Sequence, residues 1–308
     1  MSGIVIDLFA AGGGWDVAAA QLGLRPVGFE WDWAACLTGK EAGHVRVQAD
    51  VAAVPTEPMR GKVSGVIGSP PCTLLSDAGH GMARLVLTDL CVGASRILAG
   101  EPDVIPAVRE QVYPVALAEQ AKRNSKRTPE KRWSDERVRA AAMSDAFTAC
   151  LILEPARFIY DLRPEWVALE QVPAALPVWQ AYVHGLTALG YSVWARVLNA
   201  ANYGVPQTRE RAILGASRVQ TVSPPPPTHA KGGRPADLFG GEGLRDWVSM
   251  ASALGWGATA RPAPTITSGG TASGGAEPLA KGGREALARE AGGGALARSR
   301  SGSIGVRA

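Results

Sequence analysis

"GIVIDLFAAGGGWDVAAAQLGL", residues 3–24, passes from a continuous apolar run through a glycine cluster into an alanine-rich stretch closed by Gly23. A short apolar run bounded by turn residues predicts a strand buried on both faces, and the stretch after it a helix. The same alternation recurs downstream. "RPVGFEWD" (25–32) predicts a second strand, "WAACLTGKEAG" (33–43) a second helix, "HVRVQAD" (44–50) a third strand and "GKVSGVIGSPPC" (61–72) a fourth. Strands separated by helices predict βαβ units and a parallel sheet. A long, mostly helical stretch follows, from about residue 79 to 160. "RPEWVALEQV" (163–172) returns to the sheet, and "YSVWARVLNAANYGVPQTRERAILGAS" (191–217) predicts two strands about a Tyr-Gly-Val-Pro turn. The expected fold class is α/β, a sheet with helices on both faces plus a small irregular lobe.

Composition narrows the classes. Hydrophobic residues make up 46% of the 308, enough for a core, and the formal net charge is only +4. That charge is unevenly placed. Residues 122–139, "KRNSKRTPEKRWSDERVR", hold eight Lys/Arg against three acids, a net of +5, which leaves −1 for the rest of the chain. Local basicity suits a phosphate contact, although a solvated helix face is the plainer reading. None of the four cysteines (Cys36, Cys72, Cys91, Cys150) lies in a CxxC pair, so no zinc spacing is present. The N-terminus has no signal-peptide pattern, and no apolar run approaches the ~20 residues of a membrane span. The expectation is a cytoplasmic, reduced monomer without a membrane partner, which argues against a structural disulfide at Cys72.

The first loop, a strand, a glycine-rich turn and a helix, lets backbone N–H groups approach a ligand closely. Glu30, ending the second strand, is placed to accept hydrogen bonds from a ribose. Trp31 is either a stacking surface for an adenine or an ordinary tryptophan. Asp50 either binds an adenine amino group or caps a turn. These residues say "nucleotide-like cofactor", and the glycine pattern is not GxGxxG. "SPPCTLLS" (69–76) puts Cys72 just past the fourth strand, where a lone cysteine is more often filler than nucleophile.

Taken together and in order, "DLFAAGGGW" (7–15), "SPPCTLLS", "ALEQV" (168–172) and "VLNAANYGVPQTRERAIL" (197–214) resemble four blocks of the C5-cytosine DNA methyltransferases. In the third block Gln171 stands where that family has asparagine. The resemblance implies a Rossmann-like sheet that binds S-adenosylmethionine. It implies cofactor contacts from Asp7, Phe9, Ala10, Gly12, Gly14, Glu30, Trp31, Asp50 and Pro71. Cys72 is implied as the covalent nucleophile, activated by a nearby helix N-terminus and cationic neighbours. Glu170 would face N3 of the cytosine, Arg211 would grip its O2, and Arg209 would orient the site. The implied substrate is double-stranded DNA with the target base flipped out. Ser76, Gln207, Lys122, Arg123, Lys126 and Arg127 are the expected DNA contacts, the basic run either touching phosphate or covering the cleft.

The resemblance is incomplete. Ala11 replaces a family glycine, which is tolerable if its φ is negative. The family's closing Leu-Gln-x-Phe-Pro and Gln-x-Gly-Asn blocks have no counterpart, and no Gly-Asn pair occurs anywhere in the chain. The expected organisation is a catalytic domain over 1–220 with a helical, basic insertion at about 79–143. A target-recognition region over 221–268 and a Gly/Arg-rich disordered tail over 269–308 complete it. A truncated or frameshifted reading frame is the simplest account, and a split enzyme completed by a second chain the rarer one. The functions in play are a cytosine-C5 DNA methyltransferase, with or without a cognate restriction enzyme, an inactive relic or DNA-binding remnant, and a tRNA-methylating relative.

Overall fold

The computed structural model describes residues 3–76, 81–235, 243–255 and 263–264. The tail expected to be disordered lies outside the described residues. Two compact units are present, Met1–Val197 with Arg211–Pro225, and Leu198–Glu210 with Pro226–Ala308. The second unit begins inside the segment assigned from sequence to the catalytic domain. Its own hydrogen bonds explain why: Thr228 N–H donates to the Asn202 carbonyl at 2.9 Å, and Trp247 Nε1 to Asn202 Oδ1 at 3.0 Å.

The first unit is built on a seven-stranded sheet. Its strands are β1 (Ile4–Leu8), β2 (Val27–Glu30), β3 (Val45–Gln48), β4 (Val63–Gly68), β5 (Trp166–Gln171), β6 (Ser192–Asn199) and β7 (Glu210–Ser217). Their spatial order is β3-β2-β1-β4-β5-β7-β6. The pairs β1–β2, β2–β3, β1–β4 and β4–β5 are parallel, whereas β5–β7 is antiparallel. The order reverses between β1 and β4, and a ligand crevice is expected beyond the carboxyl ends of strands at such a switch point. Because β7 runs backwards, its first residues arrive at that same edge: Gln171 pairs with Ala212 and Trp166 with Ser217.

The connecting helices are α1 (Gly14–Gln21), α2 (Trp33–Glu41), α3 (Leu87–Leu98), α4 (Val104–Ser125), α5 (Asp135–Cys150), α6 (Glu154–Leu162) and α7 (Leu176–Ala188). The strands are apolar because helices and sheet share one core, which includes Ile6, Leu8, Val66, Leu169, Phe158 and Trp179. Buried polar atoms there are partnered in detail. Trp179 Nε1 donates to the Ala212 carbonyl at 3.1 Å, fixing α7 on β7. The Tyr182 hydroxyl donates to the Ile152 carbonyl at 2.7 Å and accepts from Ala156 N–H at 3.0 Å. Among the described residues no helix is long and apolar enough to cross a membrane.

One buried charge organises the first βαβ unit. Arg46, on β3, has a fully buried side chain that reaches Asp16 on α1 with two bonds, Nη2–Oδ2 at 2.7 Å and Nη1–Oδ1 at 3.2 Å. Its Nε donates to the Ala11 carbonyl at 3.2 Å. Room for the guanidinium comes from three glycines far apart in sequence. A Cβ at Gly13, Gly28 or Gly39 would lie 3.0, 2.6 or 2.6 Å from an Arg46 nitrogen, respectively.

Gly39 therefore makes a discriminating test. Glycine to alanine in a helix normally stabilises by about 1 kcal/mol. Here Gly39→Ala drives a methyl into a buried guanidinium, and overpacking of that kind costs about 1–3 kcal/mol. Thermal melts are expected to show the variant less stable than the parent, and an equal or higher Tm would contradict the slot.

Candidate active site

The glycine loop leaves β1 in an unusual backbone. Phe9 (φ 63°) and Ala11 (φ 45°) both occupy the left-handed region, each at a cost of order 1–3 kcal/mol. The condition under which alanine was expected to be comfortable at position 11 is thus not met, and the loop is held by its partners instead. Ala11 N–H donates to Glu30 Oε2 at 2.9 Å, its carbonyl accepts from Arg46, and Ala10 N–H donates to the Phe29 carbonyl at 3.1 Å. Glu30 Oε1 also accepts from Asp32 N–H at 2.8 Å, so both oxygens are oriented while each keeps a lone pair for a ligand hydroxyl.

Beside this loop opens a cleft of about 440 Å³. Its walls include Phe9, Ala11, Glu30, Trp31, Asp50 and Pro71, together with Ser69 and four residues from the end of α5 and just beyond: Ser144, Phe147, Thr148 and Leu151. Trp31 is 74% exposed, a broad apolar face turned to solvent. Asp50 Oδ1 caps the following turn through Ala52 N–H at 3.0 Å, which leaves Oδ2 for an N–H donor. Both sequence readings of Asp50 are therefore compatible with its position. Ser69 was not singled out from the sequence. Its hydroxyl accepts from Trp15 Nε1 at 2.7 Å, joining the start of α1 to the end of β4. The α5 residues were missed as well, because nothing local marks a helix some 130 residues from the glycine loop as part of its cleft.

Asp7, Ala10, Gly12 and Gly14 do not line the cleft. Asp7 has no exposed surface, so direct contact with a bound cofactor gives way to a place beneath the loop. Neither of its carboxylate oxygens has a hydrogen-bond partner among the described residues. Burial above all, then the nearby Asp16 charge, pushes its pKa up to about 8, against the pull of Arg46 and with a further push from Glu30. Asp7 is accordingly a mostly neutral acid at pH 7.

Cys72 lies in a loop pinned from three sides. Upstream, Gln171 Nε2 donates to the Pro70 carbonyl at 2.9 Å, while Gln171 Oε1 accepts from Val172 N–H at 2.6 Å. Downstream, the side chains of Leu74 and Leu75 are buried, and Arg84 Nε donates to the Leu75 carbonyl at 2.9 Å. The Cys72 carbonyl accepts from Leu75 and Ser76 N–H at 3.0 and 2.9 Å, closing a turn. The helix N-terminus expected beside Cys72 is thus replaced by this turn, and α3 begins only at Leu87. The other thiols differ in setting. Cys36 is buried and donates to the Glu30 carbonyl, and burial pushes Cys150 up to about 12 and raises Cys91. Cys72 is half-buried, on the loop beside Pro71 of the cleft wall.

Glu170 is the penultimate residue of β5 and Arg211 the second of β7. Their side chains form an ion pair, Arg211 Nε to Glu170 Oε1 at 2.9 Å, with about a fifth of each exposed. Since Gln171 binds Pro70, the carboxylate and the cysteine loop are joined through adjacent residues of one strand. Arg209 and Gln207 belong to the second unit, where the Arg209 carbonyl accepts from Ala200 N–H at 2.9 Å. Ser76 closes the Cys72 turn. Lys122, Arg123, Lys126 and Arg127 stand at the far end of the α4–α5 hairpin and line none of the cleft.

Two outcomes are expected. Between an unfolded pKa of 3.8 and a folded value of about 8, folded Asp7 keeps a proton that the unfolded chain has lost. Its contribution to stability is full below the lower value and is lost as pH rises to the upper one. The Tm of Asp7→Asn relative to the parent should therefore climb from pH 4 to pH 8, and a pH-independent offset would show that Asp7 is ionised throughout. Gln171→Ala strands the Pro70 carbonyl and Val172 N–H, a loss of about 1–3 kcal/mol. It should lower the Tm and speed labelling of Cys72 by a thiol reagent, read by peptide mass spectrometry against Cys150 as the buried control.

Residues 138–233 match the family described as C-5 cytosine-specific DNA methylase. Over 84 residues, 26% of this chain and 24% of the relative, the sequence is 32% identical to the Type II methylase M.HgiDII of Herpetosiphon aurantiacus. Over 111 residues, 32% of this chain and 26% of the relative, it is 32% identical to the Type II methyltransferase M.AgeI of Thalassovita gelatinovora. The chain thus spans about a quarter of the length of the curated relatives it matches. The solved S. pombe Dnmt2 methyltransferase overlays 72% of this chain and 52% of its own at 14% identity, with a TM-score of 0.41. The matched residues contain Glu170, Arg209 and Arg211, so the likeness to the C-5 cytosine-specific DNA methylases takes in the Glu170–Arg211 pair.

Proposed function

We propose that the chain is a DNA (cytosine-5-)-methyltransferase using S-adenosylmethionine, of the kind that accompanies a type II restriction enzyme. The observation that carries this reading is the convergence of Cys72, Glu170 and Arg211 at one sheet edge. They are joined by the Gln171–Pro70 bond and sit next to the cleft that contains Pro71.

That cleft fits the cofactor. Glu30 offers oriented acceptors for a ribose, Trp31 a face for an adenine and Asp50 Oδ2 an acceptor for an amino group. S-adenosylmethionine, when bound, would supply an electrophilic sulfonium methyl, its S–CH3 bond breaking as the methyl is taken and the electron pair staying on sulfur as a neutral thioether. The chain's part is to make C5 of cytosine nucleophilic. Cys72, as thiolate, bonds through Sγ to C6 of a flipped-out cytosine, which moves electron density to C5. Glu170 faces N3 and shares a proton there, limiting the negative charge on the ring, while Arg211 orients Glu170 and reaches O2. Once C5 carries the methyl group, its proton passes to solvent, the Cys72–C6 bond breaks and the thiolate is recovered. Arg209, Gln207 and Ser76 are assigned to orienting the site and to DNA.

Incubation with the cofactor and a duplex containing 5-fluorocytosine, which cannot lose a proton from C5, should trap a covalent protein–DNA adduct. Cys72→Ser should abolish it, and Glu170→Gln should slow it by about 10²-fold or more. Absence of both adduct and methyl transfer to DNA would overturn the reading, and transfer to RNA alone would reassign the substrate.

A further inference from the structure

The α4–α5 hairpin is a rigid arm with two different ends. Along it α4 and α5 pack through Val112, Ala116, Val138, Ala142 and Ala146, and Gln120 Nε2 donates to Asp145 Oδ2 at 2.6 Å. At one end Phe147 and Leu151 wall the cleft. At the other lie residues 122–139. At 1.5 Å per helical residue the two ends of the sixteen-residue α5 stand about 23 Å apart.

The basic end is built. Asn124 clamps the backbone of Trp133 in both directions, Oδ1 accepting from its N–H at 2.8 Å and Nδ2 donating to its carbonyl at 3.0 Å. Over the Trp133 ring lie two guanidiniums, Arg127 at 4.1 Å and Arg137 at 4.5 Å from the centroid. The indole is thereby engaged as a spacer for cations and is not a free stacking platform for a base. Around it Lys122, Arg123, Lys126, Lys131, Arg132 and Arg139 are exposed. Among the described residues only Lys122 of these makes an ion pair, with Glu119 at 3.2 Å. Asp135 and Glu136 sit in the first turn of α5, where they oppose the helix dipole.

We infer that this hairpin tip binds the phosphate backbone of duplex DNA flanking the target, without reading sequence. The distance sets where. About 23 Å at 3.4 Å per base pair places the contact about seven base pairs from the target base, which lies beside the cleft. Exposed cations, of which only Lys122 is paired with an acid among the described residues, and with no aromatic face on offer, suit phosphates, not base edges. The inference rests on DNA being the substrate, so the test reads binding apart from turnover.

The combined variant Lys122→Glu, Arg123→Glu, Lys126→Glu and Lys131→Glu leaves the Trp133 clamp in place, which circular dichroism and the Tm should verify. Anisotropy without methyl donor would compare two duplexes, one ending about four base pairs from the target cytosine and one extending about twelve to each side. On the long duplex the variant should lose about tenfold or more in affinity, with a salt slope shallower by about 0.9 for each phosphate contact removed. On the short duplex the two proteins should bind alike. Should a clamp defect cloud the charge reversals, the four lysine- and arginine-to-glutamine changes supply the same comparison. Unchanged affinity and slope on the long duplex would overturn the inference, as would equal loss on both duplexes or a loss confined to an RNA probe. Methyl transfer with an indifferent hairpin would leave the proposed function standing, and hairpin-dependent binding without methyl transfer would do the reverse.

Discussion

The bidentate Arg46–Asp16 pair is the constraint on which the glycine loop and the cleft beside it depend. It joins β3 to α1 across β2 and holds the Ala11 carbonyl, so the strained glycine loop has one shape. Removing one partner of a buried pair costs about 3–5 kcal/mol, because the other charge is left in a poor solvent. The pair also explains its surroundings. Gly13, Gly28 and Gly39 are small because the guanidinium occupies the space that their side chains would take. Asp7 stays mostly neutral above all because it is buried, and the neighbouring Asp16 charge, already paired with Arg46, adds to that push.

A second constraint is the direction of β7. All the parallel strands deliver their C-terminal residues to one edge, which is where Leu8, Glu30, Gly68 and Gln171 end. A parallel β7 would have carried Arg211 to the opposite edge. Running antiparallel to β5, it brings Arg211 to Glu170 within 2.9 Å. Gln171 then couples that strand to the loop of Cys72, so the thiol loop and the Glu170 carboxylate are tied by one hydrogen-bonded link, not by separate scaffolds.

The helical segment between Cys72 and Glu170 has a place in this scheme. Residues 144–151 add an apolar wall to the cleft, and the same helix projects a basic tip away from it. The basic run lines none of the cleft: most of it lies towards one end of the sixteen-residue α5 and the cleft-lining residues lie at the other.

How much was legible follows from how local each signal is. The apolar runs, the glycine cluster and the turn residues are contiguous, so the sequence by itself determined the α/β alternation. It also marked Cys72, Glu170, Arg209 and Arg211, because each sits in a short block whose chemistry is recognisable. What only the tertiary structure decided depends on groups far apart along the chain. Arg46 looked like one residue of a plain strand, since its partner Asp16 and its three glycines lie in three other elements. Phe147 and Leu151 lie in a stretch expected only to be helical, because burial against a helix and burial against a cleft leave the same apolar pattern. The left-handed φ of Ala11, the neutral state of Asp7 and the meeting of Arg211 with Glu170 arise from packing, strand direction and local dielectric, which a linear pattern does not contain.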